Sequence, residues 1–593
     1  MNPPLSTAPT LSAPPLSSAL PPSTDLPRFM AVPPVDDVVA HTLLNCLLRD
    51  LSLPEEQAEV VGSHLVVRLP RADRVLRVRL RRQSRTGSHR FTGPAQVPDG
   101  ASWRAISSSA LLDLLEKELE LLTGHPNDEL REQVASSARA MAAVRTSRPA
   151  EADAPVGEPV NVWLASEQAL VHGHRHHPSG KARSGPPASW LAHAPEIGAR
   201  FQLHRLGVAP EVLRQRAASG GRELLARIGG AVDGMPVLPV HPGQWERLRT
   251  DPAVVAALRD GRLVDLGPSG PMVVPTSSVR TVWHPADGFW KLSLDIRITN
   301  CVRRNAAYEL EGAVALTTLL DPAAADLAER HPGTVLLREP AYRSVDLDGR
   351  RDLLESLGSI AREGLVDHVL PGLTPLLAAA VADEHARGPW AVRALLDRVG
   401  GGPDAAVAWW DAWVAAVLPP VLSAYFAWGV VLEPHLQNVV VAVDSDGMPR
   451  QALLRDLEGT KLVGTKWRAE LAELPPEVAQ QVSYDADRGW DRVVYCLVVN
   501  HLSEVLAAVA DVHPELEAVL WGRLRAALLR WRAVNGDAPQ LRALLSGVPM
   551  PGKANLLLRW AKQADRAATY VPVSNPLGGH PSSAARRRQA VAW

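Results

Sequence analysis

The chain has 593 residues, and its 63 Lys and Arg side chains balance 64 Asp and Glu side chains. This length exceeds what one hydrophobic core supports and predicts two to four subdomains, while the balanced charge gives no reason to expect nucleic acid or a membrane as partner. The three cysteines are far apart and match neither a disulfide framework nor a zinc spacing, which favours the reducing cytoplasm.

The chain begins with a low-complexity segment and continues into an α+β region. Residues 1–35 are rich in Pro, Ser, Ala and Leu, and we expect this tail to be disordered. Residues 36–160 combine helical apolar spacing at 36–51 and 107–144 with alternating Val, Leu and Arg at 64–81. This pattern predicts an N-terminal α+β subdomain.

The remainder of the chain is predicted to form two further subdomains and a second tail. The expected bounds are 161–390 for a middle α+β subdomain, 391–570 for a mostly helical subdomain and 571–593 for a flexible tail. Within the middle subdomain, apolar spacing predicts a helix over 211–228 and β-rich segments at 272–283 and 289–302.

An uncharged run from Val414 to Leu432 raises the question of a membrane span. The pair Pro419-Pro420 interrupts the run, and internal prolines usually end a helix. We therefore predict a buried helix, a second short helix and a turn at Gly429 instead of a membrane span.

The first polar constellation is the segment Gly173-His-Arg-His-His-Pro-Ser-Gly-Lys-Ala-Arg-Ser-Gly185. A metal site is disfavoured because no Cys or carboxylate supplements the histidines, and Lys181 and Arg183 would repel a cation. Two interpretations stay open. The segment is either a loop that binds carboxylate or phosphate oxygens through charge-assisted hydrogen bonds, or a solvated basic loop.

The second constellation pairs a segment at 275–281 with one at 289–305 around the turn-like Ala286-Asp287. If both are antiparallel strands whose paired residue numbers sum to about 573, one face collects hydroxyls and charged groups. That face would carry Ser278, Arg280, Lys291, Ser293 and Asp295. It would suit a triphosphate, or it would be the ordinary polar outer face of a half-buried hairpin.

The third constellation flanks a predicted hairpin. Its turn is Asp444-Ser-Asp-Gly447, and Asp-Gly between β-rich runs is a strong hairpin signal. His435 and Asn438 precede the first strand, and Asp456 and Glu458 follow the second, so these groups should meet at the open end. Protein kinases hold magnesium against ATP phosphates with an Asn and an Asp in a similar arrangement, although the other kinase motifs are absent here.

Together these segments resemble the NRPS-independent siderophore synthetases, the aerobactin synthetase-like family. Its signature Gly-His-Pro-x-His-Pro-x-x-Lys-x-Arg-x-Gly is met at 173–185, except that Arg175 replaces Pro. Ser-x-Arg-Thr is met at 278–281, and Glu-x-His-x-Gln-Asn with Arg-Asp-x-Glu-Gly at 433–438 and 455–459. The ordered set is far more specific than any one motif.

The resemblance implies an α+β cupped hand with thumb, fingers and palm subdomains at the three bounds given above, and with antiparallel hairpins that form an ATP cleft. By this resemblance, the residues that bind ATP would be His177, Ser278, Arg280, Thr281, Lys291 and Asn438, and those that bind magnesium would be Glu433 and Asp456. The residues that bind the acid would be Thr299, Arg303, His435 and Lys553. The catalytic residues would be His174, His435, Arg303 and Lys291.

The implied reaction is activation of citrate or a related polycarboxylic acid. ATP and Mg²⁺ would convert the acid to an acyl-adenylate, and an amine or alcohol would then displace AMP; homodimer formation is also implied. Two alternatives remain open from the residues: a kinase-like phosphotransferase, and a non-catalytic protein that binds a carboxylate or a ferric siderophore.

Overall fold

The structure is a computed structural model that describes residues 32–155, 157–298, 301–563 and 569–578. Most of the two predicted tails, and Thr299 among the predicted site residues, lie outside the described residues. Helices and strands are mixed along the chain, as the α+β prediction requires.

The N-terminal part is an antiparallel sheet covered by helices. Its strands, in spatial order, are Ala58–Val61, His64–Leu69, Arg74–Arg82, Arg90–Asp99 and Ser102–Ala105, and its helices are Val35–Leu47, Ser108–Thr123 and Leu130–Ser147. Alternate residues of the strand from His64 point into the core because strand side chains alternate in direction. The predicted α+β character of this region is confirmed.

The middle of the chain builds a nine-stranded sheet. Its strands, in spatial order, are Leu213–Ala217, Ala341–Val345, Ser359–Glu363, Gly288–Leu292, Thr281–His284, Leu263–Pro275, Phe201–Val208, Met235–Val240 and Ala231–Val232. The helix predicted over 211–228 is wrong in its first half, because that half is an edge strand and only Gly221–Ile228 is helical. Pairing with the strand from Ala341 overrides the local helical spacing.

The register predicted for the second constellation is wrong by one residue. Thr281 lies opposite Lys291, and Val282 lies opposite Trp290. The strand begins only at Thr281, so Ser278 and Arg280 belong to a preceding turn and not to a strand face. A slip of one residue reverses the face of every strand side chain, so the predicted polar face does not exist as a sheet surface.

The predicted hairpin at 439–455 is confirmed. Strands Val439–Val443 and Pro449–Leu454 pair antiparallel, and Asp444 closes the turn by a backbone hydrogen bond to Met448. Strands Thr374–Leu377 and Thr334–Leu336 complete a four-stranded sheet on either side. This sheet therefore crosses the boundary that the sequence predicted at residue 390.

The C-terminal half is packed around long apolar helices, chiefly Pro403–Phe426, Glu517–Asn535 and a continuous helical segment at 486–512 with a π-helical stretch at Val494–Leu502. The break predicted at Pro419-Pro420 is wrong, since the first helix continues through both prolines to Phe426.

Among the described residues, the helices Pro403–Phe426 and Ala486–Val512 are long and apolar enough to span a membrane by composition. Their most apolar windows are 56% and 100% buried within the protein. Tertiary burial therefore accounts for both apolar runs.

The end of the described chain returns to the N-terminal core. Leu556 and Trp560 pack among the N-terminal helices and strands. The buried carboxylate of Asp50 accepts a hydrogen bond of 2.6 Å from the backbone N–H of Leu556. The short strand Met550–Lys553 precedes this contact, pairs with Tyr570–Val573 and carries Lys553 to the cavity described below.

We expect Trp409→Ala to destabilise the protein strongly. Trp409 is fully buried, stacks on Trp413 at 5.2 Å and donates a hydrogen bond of 2.9 Å from Nε1 to the carbonyl of Gly447 in the hairpin turn. Loss of a buried Trp side chain costs about 3–5 kcal/mol in the free energy of unfolding. Urea denaturation measures this, with Val534→Ala at an 84% exposed position as the control. A loss below about 1 kcal/mol would contradict the proposed packing role.

Candidate active site

A cavity of about 450 Å³ lies where the N-terminal helix, the nine-stranded sheet and the hairpin sheet meet. The predicted site residues that line it are His174, His177, Ser278, Arg280, Thr281, Lys291, Arg303, His435, Asn438, Asp456 and Lys553. Glu433 is not among the lining residues, and Thr299 lies outside the described residues. Segments far apart in sequence are therefore brought to one cavity.

The turn before Thr281 presents hydroxyl and guanidinium groups to the cavity. Val279 has φ of 69°, which is unfavourable for a β-branched residue, and Thr276 holds the turn by hydrogen bonds of 2.9 Å to the carbonyl of Thr281. Ser278 donates a hydrogen bond of 2.8 Å to the hydroxyl of Thr281. Strained backbone of this kind is concentrated at ligand-binding turns.

A cluster of buried charges forms one end of the cavity. The ammonium of Lys291, which is 3% exposed, contacts the carboxylates of Asp456 and Glu458. Arg362 donates to Asp456 at 2.7 Å, and Arg280 lies 3.6 Å from Glu458. Cations from one sheet thus face carboxylates from the segment that follows the hairpin.

The cluster shifts the pKa values of its members. Burial raises the pKa of Asp456, but Lys291 and Arg362 outweigh this and hold it well below its usual range. Burial lowers the pKa of Lys291, but Asp456 and Glu458 outweigh this and hold it above its usual range. Both groups are therefore charged at neutral pH.

Two further buried residues position this cluster. Asn305 accepts a hydrogen bond from Arg280 and donates one of 2.9 Å to the carbonyl of Lys291. Glu339 accepts bonds of 3.0 and 2.6 Å from Arg362 and one of 3.0 Å from the backbone N–H of Glu458. Sequence reasoning missed Arg362 and Glu339. The signal that could have revealed Arg362 was its position as a charged residue within the apolar strand Ser359–Glu363.

Glu433 and Asp456, the predicted metal-binding pair, have different surroundings in the structure. The carboxylate of Glu433 is bound by the guanidinium of Arg492, with 2.8 Å between Oε1 and Nε. In contrast, Glu458 lines the cavity, and its Oε2 is buried without a hydrogen-bond partner among the described residues. The carboxylates that face the cavity at this end are Asp456 and Glu458.

These two carboxylates fit magnesium. The described His, Cys, Asp and Glu residues form no group of three that could hold a metal ion. Magnesium, however, is commonly bound by one or two carboxylates together with substrate phosphates. Asp456 and the unpartnered oxygen of Glu458 supply this partial set.

The basic loop at 173–185 is held in place by one buried carboxylate. Lys181 and Arg183 donate to Oε1 of Glu196 at 2.6 and 3.0 Å. Burial raises the pKa of Glu196, but these two cations outweigh it and lower the pKa to about 2. Lys181 and Arg183 therefore support the loop. The interpretation of 173–185 as a solvated basic loop is wrong for these two residues.

His174 and His435 both line the cavity. Desolvation and the charge of Arg49 lower the pKa of His174 to about 4. Its Nδ1 accepts a hydrogen bond of 3.1 Å from the backbone N–H of His176, and its Nε2 lies 2.9 Å from Nδ2 of Asn500. Both nitrogens of His174 are thus engaged with the protein.

The imidazole of His435 is different. Desolvation lowers its pKa, and the carboxylates of Glu433 and Asp456 offset only part of this effect. In the described part of the chain no residue hydrogen-bonds to its ring. Nearby, Nδ2 of buried Asn438 also lacks a hydrogen-bond partner among described residues. A neutral base and an unpaired donor therefore face the cavity.

We expect Glu196→Gln to loosen the basic loop. Removing one member of a buried ion pair costs about 3–5 kcal/mol because it leaves buried charge unpaired. Native-state digestion with trypsin, which cuts after Lys181 and Arg183, should become faster by tenfold or more. Asp367→Asn, at an exposed pair with Arg227, is the matched control. Unchanged digestion of the Glu196 variant would show that this carboxylate does not hold the loop.

Comparison with known proteins agrees with the motif order. The IucA / IucC family model matches residues 163–383, and a model described as ferric iron reductase FhuF-like transporter matches residues 407–568. The rhizobactin siderophore biosynthesis protein RhbC of Rhizobium meliloti is 28% identical over 90% of this chain and 96% of its own. The L-2,3-diaminopropanoate–citrate ligase of Staphylococcus aureus is 29% identical over 70% of this chain and 74% of its own.

The fold is similar to that of a solved synthetase. ATP-bound aerobactin synthetase IucA from a hypervirulent pathotype of Klebsiella pneumoniae superposes with a TM-score of 0.80 at 22% identity, over 91% of this chain and 99% of that one. This similarity confirms the predicted fold class. The family model, the relatives and the ordered motifs together confirm the predicted resemblance of this chain to the siderophore synthetases.

Proposed function

We propose that this protein is an ATP-dependent siderophore synthetase. It adenylates a carboxylate of citrate or a related polycarboxylic acid and condenses the activated acid with an amine or alcohol. The observation that carries the proposal is the cavity in which Arg280, Lys291 and Arg362 face Asp456 and Glu458 beside the neutral imidazole of His435. The names of the relatives, which include a citrate ligase, support the acid and the reaction class.

The charged end of the cavity suits the phosphates of ATP. Without a ligand, its cations are neutralised by the protein's own carboxylates. Magnesium, when bound, supplies the charge that offsets those carboxylates and the phosphates. Lys291 and Arg280 are then left to face phosphate oxygens, while Ser278, Thr281, His177 and Asn438 donate or accept hydrogen bonds. Such preorganised charge stabilises negative charge that develops in a transition state.

In the first step a carboxylate oxygen of the acid attacks the α-phosphorus. An O–P bond forms, the bond to the bridging oxygen of the β-phosphate breaks, and pyrophosphate leaves. Arg303 and Lys553, at the cavity wall, offset the remaining carboxylates of the acid. Thr299 stays a proposed contact of the acid on the basis of the resemblance alone.

In the second step the nucleophile attacks the acyl carbon. A C–N or C–O bond forms, the acyl–oxygen bond to AMP breaks, and the nucleophile loses one proton. His435 is the better acceptor for this proton because its ring is not engaged with other described residues, whereas both nitrogens of His174 are. His174 instead shapes the centre of the cavity.

The remaining assignments follow from the proposed reaction. The substrates are small molecules, with neither nucleic acid nor membrane as partner, and we place the enzyme in the cytoplasm. Homodimer formation and the thumb, fingers and palm bounds stay proposals that rest on the family resemblance.

We expect hydroxamate formation from citrate, ATP, Mg²⁺ and hydroxylamine, with AMP and pyrophosphate released in equal amounts. Coupled pyrophosphate detection and nucleotide chromatography measure the products. Release of ADP and phosphate would exclude adenylation and favour the phosphotransferase alternative. Tight binding of the acid with no nucleotide turnover would favour a binding protein.

We expect Asn438→Ala to raise the KM for ATP by about tenfold, which corresponds to loss of one hydrogen bond. The variant should fold normally because Nδ2 of Asn438 has no hydrogen-bond partner to lose among the residues that the structure describes. Thermal denaturation checks folding, and Lys117→Met, at an exposed position, is the control for the assay. An unchanged KM would contradict the assignment of Asn438 to ATP.

The condensation step should depend on the protonation of His435. Its pKa lies below 6.5, and only the neutral ring accepts a proton. After correction for protonation of the amine substrate, kcat should be constant above pH 6.5 and fall at lower pH. His435→Asn should lower kcat by about 10²–10⁴ and remove this acid limb. If His174→Asn removes the limb and His435→Asn does not, the base is His174.

A further inference from the structure

Glu167 is a buried carboxylate outside the motifs that carry the family resemblance. It is the last residue of the helix Pro159–Glu167, is 1% exposed and is not among the residues that line the cavity. A buried carboxylate is tolerated only when other groups neutralise it and donate hydrogen bonds to it. The partners of Glu167 therefore indicate what this carboxylate does.

One partner of Glu167 belongs to the turn that precedes Thr281. The hydroxyl and the backbone N–H of Ser277 donate hydrogen bonds of 2.9 and 3.2 Å to Oε2 of Glu167. Ser277 is followed directly by Ser278 and by Val279, whose φ of 69° is unfavourable for a β-branched residue. Glu167 therefore holds the start of a strained turn that carries proposed contacts of the ATP phosphates.

A second partner belongs to the segment that carries the cavity carboxylates. The guanidinium of Arg455 donates hydrogen bonds of 2.6 and 3.1 Å to the two carboxylate oxygens of Glu167. Arg455 also donates to the carbonyl of Gln437, the residue before Asn438. It is followed directly by Asp456, whose φ of 76° lies in the left-handed region. Glu167 thus anchors a second strained turn, the one that carries a proposed magnesium ligand.

Apolar packing joins this helix to both sheets independently of the carboxylate. Trp163 packs edge-on against Phe289 of the nine-stranded sheet at 5.7 Å, and the same buried cluster includes Val440 and Leu453 of the hairpin sheet. Trp163 also donates a hydrogen bond of 3.2 Å to Oε1 of Glu167. We therefore expect the ionic contacts of Glu167 to orient the two turns, while the apolar cluster holds the sheets together.

We infer that Glu167 is a positioning residue that sets the phosphate-binding turn and the magnesium-binding segment in fixed places relative to each other. This inference rests on the proposed synthetase function. Strained turns persist only when surrounding contacts determine their conformation, and Glu167 supplies such contacts to both turns. Glu167 does not line the cavity, so it acts on ATP and magnesium through Ser277 and Arg455.

The first test is Glu167→Gln. This substitution keeps the size of the side chain but removes its charge and replaces one acceptor oxygen by an NH₂ donor, so the two turns cannot both keep their hydrogen bonds. With citrate and hydroxylamine, the KM for ATP and the Mg²⁺ concentration at half-maximal rate should each rise by about tenfold or more. The KM for citrate should stay within about twofold. An unchanged KM for ATP, or an equal rise in the KM for citrate, would overturn the inference.

Glu118→Gln is the matched control. Glu118 is also a buried carboxylate, and it accepts hydrogen bonds of 3.1 Å from Arg71 and 2.8 Å from the backbone N–H of Ala72. It lies in the helix Ser108–Thr123 and is not among the residues that line the cavity. Both variants should lower the midpoint of thermal denaturation, but only Glu167→Gln should change the ATP and Mg²⁺ requirements. If Glu118→Gln raises the KM for ATP as much, the effect is general destabilisation and the inference fails.

Ser277→Ala tests the path through the phosphate-binding turn. It removes the hydroxyl that donates to Glu167 and leaves the ion pair with Arg455 intact, so it should raise the KM for ATP by about threefold and leave the Mg²⁺ requirement within about twofold. Combined with Glu167→Gln, it should raise the KM by less than the product of the two single increases, because both residues act through one contact. Increases that multiply would contradict the inference. If Glu167→Gln does not fold, an unchanged KM for ATP in Ser277→Ala would contradict it too.

A binding measurement separates this inference from the proposed function. If the unaltered protein releases no pyrophosphate with citrate or a related acid, the proposed function fails. Calorimetric titration with ATP and Mg²⁺ in the absence of acid then still decides on Glu167. The unaltered protein should bind the nucleotide, and Glu167→Gln should bind it about tenfold more weakly. Equal affinity of both proteins, or no binding by either, would show that Glu167 does not position an ATP site.

Discussion

The site depends on one buried ammonium group. Lys291 lies in the nine-stranded sheet, and its counter-charges, Asp456 and Glu458, follow the last strand of the hairpin sheet. A buried charge is tolerated only when it is paired, and removal of one partner is strongly destabilising. The two sheets are therefore joined at a fixed point, and the cavity forms beside that junction.

The distribution of charge divides the cavity by function. One part of the lining pairs Lys291, Arg280 and Arg362 with the carboxylates of Asp456 and Glu458. The centre holds His174 and His435, which are neutral because the protein desolvates them. His172 also lines the cavity, and both of its ring nitrogens are buried without a hydrogen-bond partner among the described residues.

Much of the fold followed from local patterns, and most of the errors have one cause. The hairpin at 439–455 was predicted correctly because an Asp-Gly turn between alternating apolar residues fixes both strands. The helix over 211–228, the break at Pro419-Pro420 and the register at Thr281 were wrong. Pairing or packing with a distant segment overrode the local preference in the first two cases, whereas the register error concerns a local hairpin in which His284 pairs with Gly288.

The sequence by itself determined the resemblance to the siderophore synthetases and eleven of the residues that line the cavity, because these depend on residue types in a fixed order. Only the tertiary structure decided which charges meet. Lys291 and Asp456 are 165 residues apart, and whether Glu433 or Glu458 faces the cavity depends on where Arg492 lies.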